Sequence, residues 1–401
     1  MLDYLIIGAG ITGVSVARLL QKRGCDNFLI IEAENEAGGL CRTKKIDGHV
    51  VDIGGGHFLF SVYPEVYEFV FSHIPKNNFN RFDRVTKIKI AEHIIDYPIE
   101  SNLWQLPMNM QIKYLISAVQ SGEVLGKSEP KNYEQWIRWK LGDCVADNYM
   151  IPYNKKIWGV DPKKMDIDWL HKIPRLNTEE IVRSCLSHMS DKNKFPTHIH
   201  FYYPKIGGFQ KIFDAIYKRV ESKIKLNEPI KSLAYKKDYW MINNQYKAKV
   251  IINTAPWIYI YKALGNPKVI SKPMKILKAN EIVVSLWEKP YSHDWHWLYV
   301  PDLSIEHHRE FFISNFALDS KPGGYFSETN ISRWKGKKSL YDYRNRYAYP
   351  IPVTGHSKAI KTVLEYFEPM NLYGVGRWGQ WKYFNSDICI WEAMKLVNRM
   401  R

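Results

Sequence analysis

Two short apolar runs, residues 4–7 (YLII) and 28–31 (FLII), flank a stretch whose apolar positions recur at helical spacing from 14 to 22. Unbroken runs of this length predict strands buried on both faces, and a helix between two of them predicts a βαβ unit with parallel strands. The first connection is Gly8-Ala9-Gly10-Ile11-Thr12-Gly13, and Glu32 ends the second run. That order of strand, glycine turn, helix and acid predicts a dinucleotide site. Gly8 makes the tight turn, Gly10 lets phosphate approach the backbone, and Gly13 lets helix and strand pack closely. The helix start offers free N–H groups and the positive end of its dipole to a pyrophosphate. Glu32 is placed to accept hydrogen bonds from ribose hydroxyls.

Further glycines bear on which dinucleotide it is. Gly38-Gly39-Leu40-Cys41-Arg42-Thr43 and then Asp52-Ile53-Gly54-Gly55-Gly56-His57 follow the acid. A second glycine pair with an arginine three residues on suits a cofactor extended under a loop, its guanidinium near phosphate or ribityl oxygens. The run at 54–56 removes side chains where backbone approaches a flat isoalloxazine ring, so FAD is expected.

Beyond residue 80 the pattern turns helical, with segments 110–121 and 133–149 and with Pro98, Pro107 and Pro130 as breakers. Strand signals return at 224–226, 230–235, 239–243 and 249–254, the last reading as another parallel strand of the nucleotide fold. A β-rich stretch covers 281–287, 297–300 and 311–316, and a strand with a glycine turn at 371–379 leads into a helix at 388–400. The expected fold is α/β: a Rossmann-like FAD-binding domain interwoven with a helical and β-sheet substrate domain. FAD-binding segments are expected at 1–80, 204–265 and 356–401, a mostly helical segment at 81–203 and a β-rich one at 266–355.

Composition narrows the function. With 401 residues the chain can bury a large core and form two domains. No apolar run approaches the roughly 18 residues of a membrane span and no signal peptide is recognisable, so a soluble, cytoplasmic protein is expected. Cys25, Cys41, Cys144, Cys185 and Cys389 are scattered without ligand spacing, which argues against a metal centre and a disulfide framework. The net charge of +16 is lysine spread over the whole chain, not a basic stripe with a reading module, so nucleic acid is not an expected partner. A polyanionic small substrate is compatible. Aromatics reach 14% with 14 Trp, and many sit beside polar residues where they can stack on a base or sugar.

Five local motifs resemble the UDP-galactopyranose mutases, especially the eukaryotic-type branch, within the FAD-dependent amine oxidase and protoporphyrinogen oxidase superfamily. Residues 52–61 resemble that family's flavin-facing GGH segment, and Pro152-Tyr153-Asn154-Lys155-Lys156-Ile157-Trp158 its substrate flap. Trp297-Leu298-Tyr299-Val300-Pro301, with Arg309 and Ser314-Asn315 after it, is similar to the WLY-x-P and R-x-x-x-x-SN elements. Tyr349-Pro350-Ile351-Pro352 resembles the YP-x-P turn, and Gly376-Arg377-Trp378-Gly379-Gln380-Trp381-Lys382-Tyr383 the GR-x-G-x-W-x-Y ending. They occur in the family's order along nearly the whole chain.

The resemblance implies an isomerase in which the N5 nitrogen of reduced FAD attacks the anomeric carbon of a UDP-hexose, so that pyranose and furanose forms interconvert without net redox change. It implies cofactor contacts at Gly8, Gly10, Thr12, Gly13, Glu32, Ala33, Gly39, Leu40, Gly55, Gly56, His57, Ile230, Gly376 and Arg377. Catalytic roles fall on His57, Arg309, Tyr349, Tyr383 and Asn385, with Arg309 as the diphosphate clamp. Trp297 and Tyr299 are expected to line the sugar pocket, Tyr97 to meet the base, and Tyr153, Asn154 and Trp158 to form a mobile flap. The chain departs from the family where a second arginine clamp is usual, having Lys172 and Arg175 as alternatives. It also has Ile99 and Glu100 where a base-contacting aromatic and amide are usual. A galactose-like or deoxygenated hexose for a surface polysaccharide is expected; NAD(P)H as reductant and a homodimer stay open. The other reading is a true redox enzyme of the same superfamily, an amine oxidase or desaturase.

Overall fold

A computed structural model describes residues 1–170, 176–190, 199–336 and 338–400. Leu2–Ile7 pairs in parallel with Phe28–Ile31 on one side and Tyr246–Asn253 on the other, and Ile7 lies level with both Ile31 and Asn253. The strands therefore end together, which gathers their following loops at Gly8. Leu372–Gly374 also pairs in parallel with Tyr246–Asn253, so the start, middle and end of the chain build one seven-stranded sheet. The antiparallel strands Leu233–Lys236 and Tyr239–Ile242 extend it at one edge. Alternation of side chains along Leu2–Ile7 sends Leu5 and Ile7 into one core and Ile6 into the other. Ile11–Lys22 packs with Gln210–Tyr217 and Ser386–Arg399, while Ser271–Ile276 packs on His356–Phe367, so the nucleotide domain reaches past residue 265.

The second sheet runs in the order Tyr341–Pro350, Ala279–Trp287, Tyr325–Asn330, Arg309–Phe311, Trp297–Tyr299, Thr86–Ile90 and His93–Asp96. Its last two strands lie in the region expected to turn helical at residue 81. Lys and Ile alternate along Thr86–Ile90; Ile88 and Ile90 are buried and the lysines less so, the two-residue period of a strand. The longer helices of that region are Met108–Val119, Tyr133–Val145, Ile151–Trp158 and Thr178–Ser187, the last opened by a reciprocal capping box between Asn177 and Glu180. Among the described residues no helix is long and apolar enough to cross a membrane.

Candidate active site

The glycine turn is set by close backbone contacts. Gly8 has φ +99°, and a Cβ on Gly13 would stand 2.0 Å from the Gly8 carbonyl oxygen. At Gly10, which caps Ile11–Lys22 without a side-chain bond, nothing lies within 4 Å of a Cβ position. The helix start thus leaves room beside Gly10 where an anion could approach the backbone. Thr12 packs against Gly376, where a Cβ would come within 2.4 Å of its Oγ1. The Glu32 carboxylate accepts from Ala9 N at 2.8 Å and Glu34 N at 3.0 Å, which orders the loop and leaves lone pairs for a ribose. Ala33 is exposed beyond it; Gly39 and Leu40 stand on the facing loop, which Gly38 joins to Gly10 by a bridge. Ile230 is half-buried against the core beneath the sheet. The cradle fits an FAD-type dinucleotide.

Arg42 donates to Gly39 O at 3.0 Å and Tyr343 OH at 2.8 Å and pairs with Glu34 at 2.7 Å, so it ties the loop to the second sheet. The run at 54–56 is glycine because the protein's own atoms crowd it. A Cβ on Gly54 would lie 2.2 Å from Leu40 O, on Gly55 2.3 Å from Glu328 Oε1, and on Gly56 2.6 Å from Trp297 Nε1. His57 follows, its ring stacked on Phe209 with centroids 5.1 Å apart. Burial, then the Arg377 charge, hold its imidazole down at about 4, so it is neutral near pH 7, and its buried Nδ1 has no hydrogen-bond partner among the described residues.

Glu328 also bounds the second feature, a charge pair within a ring of phenols. Arg309 and Glu328 are direct cross-strand partners, joined by Nη2 to Oε1 at 2.7 Å and Nε to Oε2 at 3.1 Å. Burial works against ionisation of Glu328, but Arg309 and then His308, 3.4 Å away, outweigh it and hold the carboxyl at about 2. For Arg309 too, Glu328 outweighs burial and keeps the guanidinium charged. Its Nη1 carries no hydrogen bond among the described residues and remains a donor.

Tyr349 and Tyr383 meet edge to face at 4.9 Å, and Trp158 touches both rings. Tyr153 and Tyr97 lie 5.2 and 5.3 Å from Tyr299. Burial raises the pKa values of Tyr97, Tyr153, Tyr349 and Tyr383, so these phenols stay protonated and can donate. The fold thus gathers Tyr97, Tyr153, Trp158, Tyr299, Tyr349 and Tyr383 around the Arg309–Glu328 pair.

Other expected residues are placed differently. The 152–158 segment, expected as a flap, is helical and packed in this structure: Asn154 is 4% exposed and its amide donates to Tyr133 OH and Met150 O while accepting from Trp158 Nε1. Lys156, also buried, donates to Val300 O and Asp302 O and pins the helix to the sheet. Trp297 is fully buried under Gly56 and does not line a pocket. Arg377 donates to Phe384 O at 2.8 Å and Ala348 O at 2.9 Å, clamping together the segments that carry Tyr383 and Tyr349. Asn385 is exposed at the N-cap of Ser386–Arg399. Glu100, at 2% exposure, is too buried to read a base edge. Lys172 and Arg175 lie outside the described residues.

Arg84, Glu328 and His308 belong to this site and had not been anticipated. The Arg84 guanidinium stacks 4.6 Å from the Trp297 ring and 4.9 Å from Phe58, and bonds to Thr86 Oγ1 and Tyr299 OH. A signal for Glu328 existed: it has the same parity as Phe326 in a β-like run, and an acid on an apolar strand face needs a partner.

Fold and site define an α/β protein of the FAD-type dinucleotide-binding class, and residues 6–71 match the NAD(P)-binding Rossmann-like domain family. The fold is that of UDP-galactopyranose mutase: a crystal structure of the reduced enzyme superposes with a TM-score of 0.86 at 22% identity, covering 99% of this chain and 93% of that one. The chain is 25% identical over 190 residues to dTDP-fucopyranose mutase of Escherichia coli, covering 45% of this chain and 48% of that protein. It is 21% identical over 267 residues to UDP-galactopyranose mutase of Mycoplasma pneumoniae, covering 62% and 61%. The chain thus spans about half the length of the curated relatives it matches.

Proposed function

We propose that this protein is a flavin-dependent nucleotide-sugar mutase that interconverts the pyranose and furanose forms of a nucleoside-diphosphate hexose. The observation that carries the reading is the buried Arg309–Glu328 pair, ringed by phenols and abutting the glycine run next to His57. Reduced FAD, when bound, would supply an electron-rich nitrogen at the anomeric carbon with no net consumption of electrons. The glycine turn, Thr12 and Glu32 would hold its pyrophosphate and ribose. Arg309 Nη1 and the protonated phenols of Tyr153, Tyr349 and Tyr383 would hold the displaced diphosphate until it returns. Arg84 adds a second guanidinium to the cleft, the role left between Lys172 and Arg175. Glu328 tempers Arg309, so the diphosphate is held but not trapped. Neutral His57 can take or give a proton at Nδ1.

An amine oxidase or desaturase would want an apolar pocket or one suited to a cation; two guanidinium groups among phenols favour an anion. UDP-galactopyranose and dTDP-fucopyranose, the sugars in the names of the similar mutases, are the first substrates to test. Dithionite-reduced protein should convert one of them to its furanose isomer, read by chromatography. Turnover equally fast with oxidised cofactor, or with neither sugar but with an amine, would overturn the proposal.

A further inference from the structure

A cavity of about 310 Å³ lies on the far face of the second sheet from the charge pair, at the lower end of the range of small-molecule sites. Neighbouring strand residues point to opposite faces, so while Phe326 and Glu328 of Tyr325–Asn330 meet Phe311 and Arg309, Tyr325, Ser327 and Thr329 line this cavity. Trp287 and Trp334 complete an aromatic wall. Ser327 and Thr329 are only 2% and 3% exposed, and the Ser327 oxygen accepts from Trp287 Nε1 at 2.7 Å, which fixes the indole and leaves the hydroxyl proton to donate. In a chain of net charge +16, no lysine or arginine is among the described residues lining the cavity.

We propose that this cavity binds a neutral saccharide ring. Aromatic faces would cover its C–H surface, and Ser327 and Thr329 would meet its hydroxyls. A phosphorylated ligand would meet no lysine or arginine among the described residues lining the cavity. A quaternary ammonium suits an aromatic wall but accepts no hydrogen bonds, and would leave two buried hydroxyl protons unmatched. The site stands independently of the mutase reading, since it lies on the other face of the sheet.

Saturation-transfer NMR on the flavin-loaded protein tests this with methyl β-galactopyranoside, methyl α-glucopyranoside and choline as probes, each with and without excess UDP to fill the phenol cleft. Transfer to the ring protons of at least one glycoside is expected, undiminished by UDP. It should weaken about tenfold, the loss of one good contact, in both Trp334→Ala and the nearly isosteric Thr329→Val. Four outcomes overturn the assignment: no transfer to either glycoside, transfer abolished by UDP, transfer unchanged in both variants, or transfer to choline alone.

Discussion

The dinucleotide end and the phenol cleft are built on opposite principles. The first is made of backbone: Gly8, Gly10 and Gly13 stand within one turn, and what matters at each is the space a side chain would take. The second is made of side chains from distant places, among them the helix Ile151–Trp158, the paired strands carrying Arg309 and Glu328, the strand Tyr341–Pro350, and the turn before Tyr383. A backbone site tolerates chemical change around it but no added bulk. A side-chain site tolerates small changes in volume but no unbalanced charge.

Bulk at the turn should therefore have the largest effect. Gly13→Val drives carbons into the Gly8 carbonyl, and overpacking of this kind costs about 1–3 kcal/mol or more. Little folded protein and no bound flavin are expected, read by urea unfolding and flavin absorbance; a yellow, normally stable variant would contradict a backbone-set turn. Charge should dominate in the cleft. Arg309→Ala strands a buried carboxylate and should cost about 3–5 kcal/mol of stability, while the Arg309→Ala/Glu328→Ala double variant regains most of it yet stays inactive. If the double variant is no more stable than the single one, the pair is not balanced as described.

Acid should unpick the same region. His57, His296 and His308 are held neutral by burial, each down at about 4, below their unfolded value of 6.5. Their contribution is complete above pH 6.5 and is lost as pH falls through about 4; that of Glu328 is complete above 4.5 and is lost toward 2. Thermal melting should drop steeply as pH falls below 6.5, and an unchanged midpoint at pH 4 would refute this. Tyr383→Phe removes one donor at about 0.5–1.5 kcal/mol, so KM for the nucleotide sugar should rise about two- to tenfold with flavin retained. A KM within error of wild type would take Tyr383 off the diphosphate. The smallest effect lies outside the charge pair. Burial raises the Glu100 carboxyl to about 7, so its contribution is present below pH 4.5 and is lost as pH rises through 7. Glu100→Gln should stabilise the protein at pH 8 and change little at pH 5.

Local order in the chain made the first region readable. Strand, turn, helix and acid follow one another within residues 2–32, and their spacing alone requires the glycines where they stand. Motif resemblance also picked out Arg309, Tyr349 and Tyr383 one by one. It carried no information on what faces them. Glu328 is a glutamate in an unremarkable strand until antiparallel register sets it opposite Arg309, 19 residues away. That Asn154 and Trp158 are buried within one packed helix likewise shows only in the fold.

Residue order was thus enough for the nucleotide fold and its turn, because the contacts that specify them are between near neighbours and depend on the presence or absence of a Cβ. The charge balance of the cleft, the burial of Glu100 and the cavity behind the second sheet depended on folding. They arise from contacts between distant segments, where the low dielectric of the interior and the register of paired strands decide which groups are ionised and which way they face.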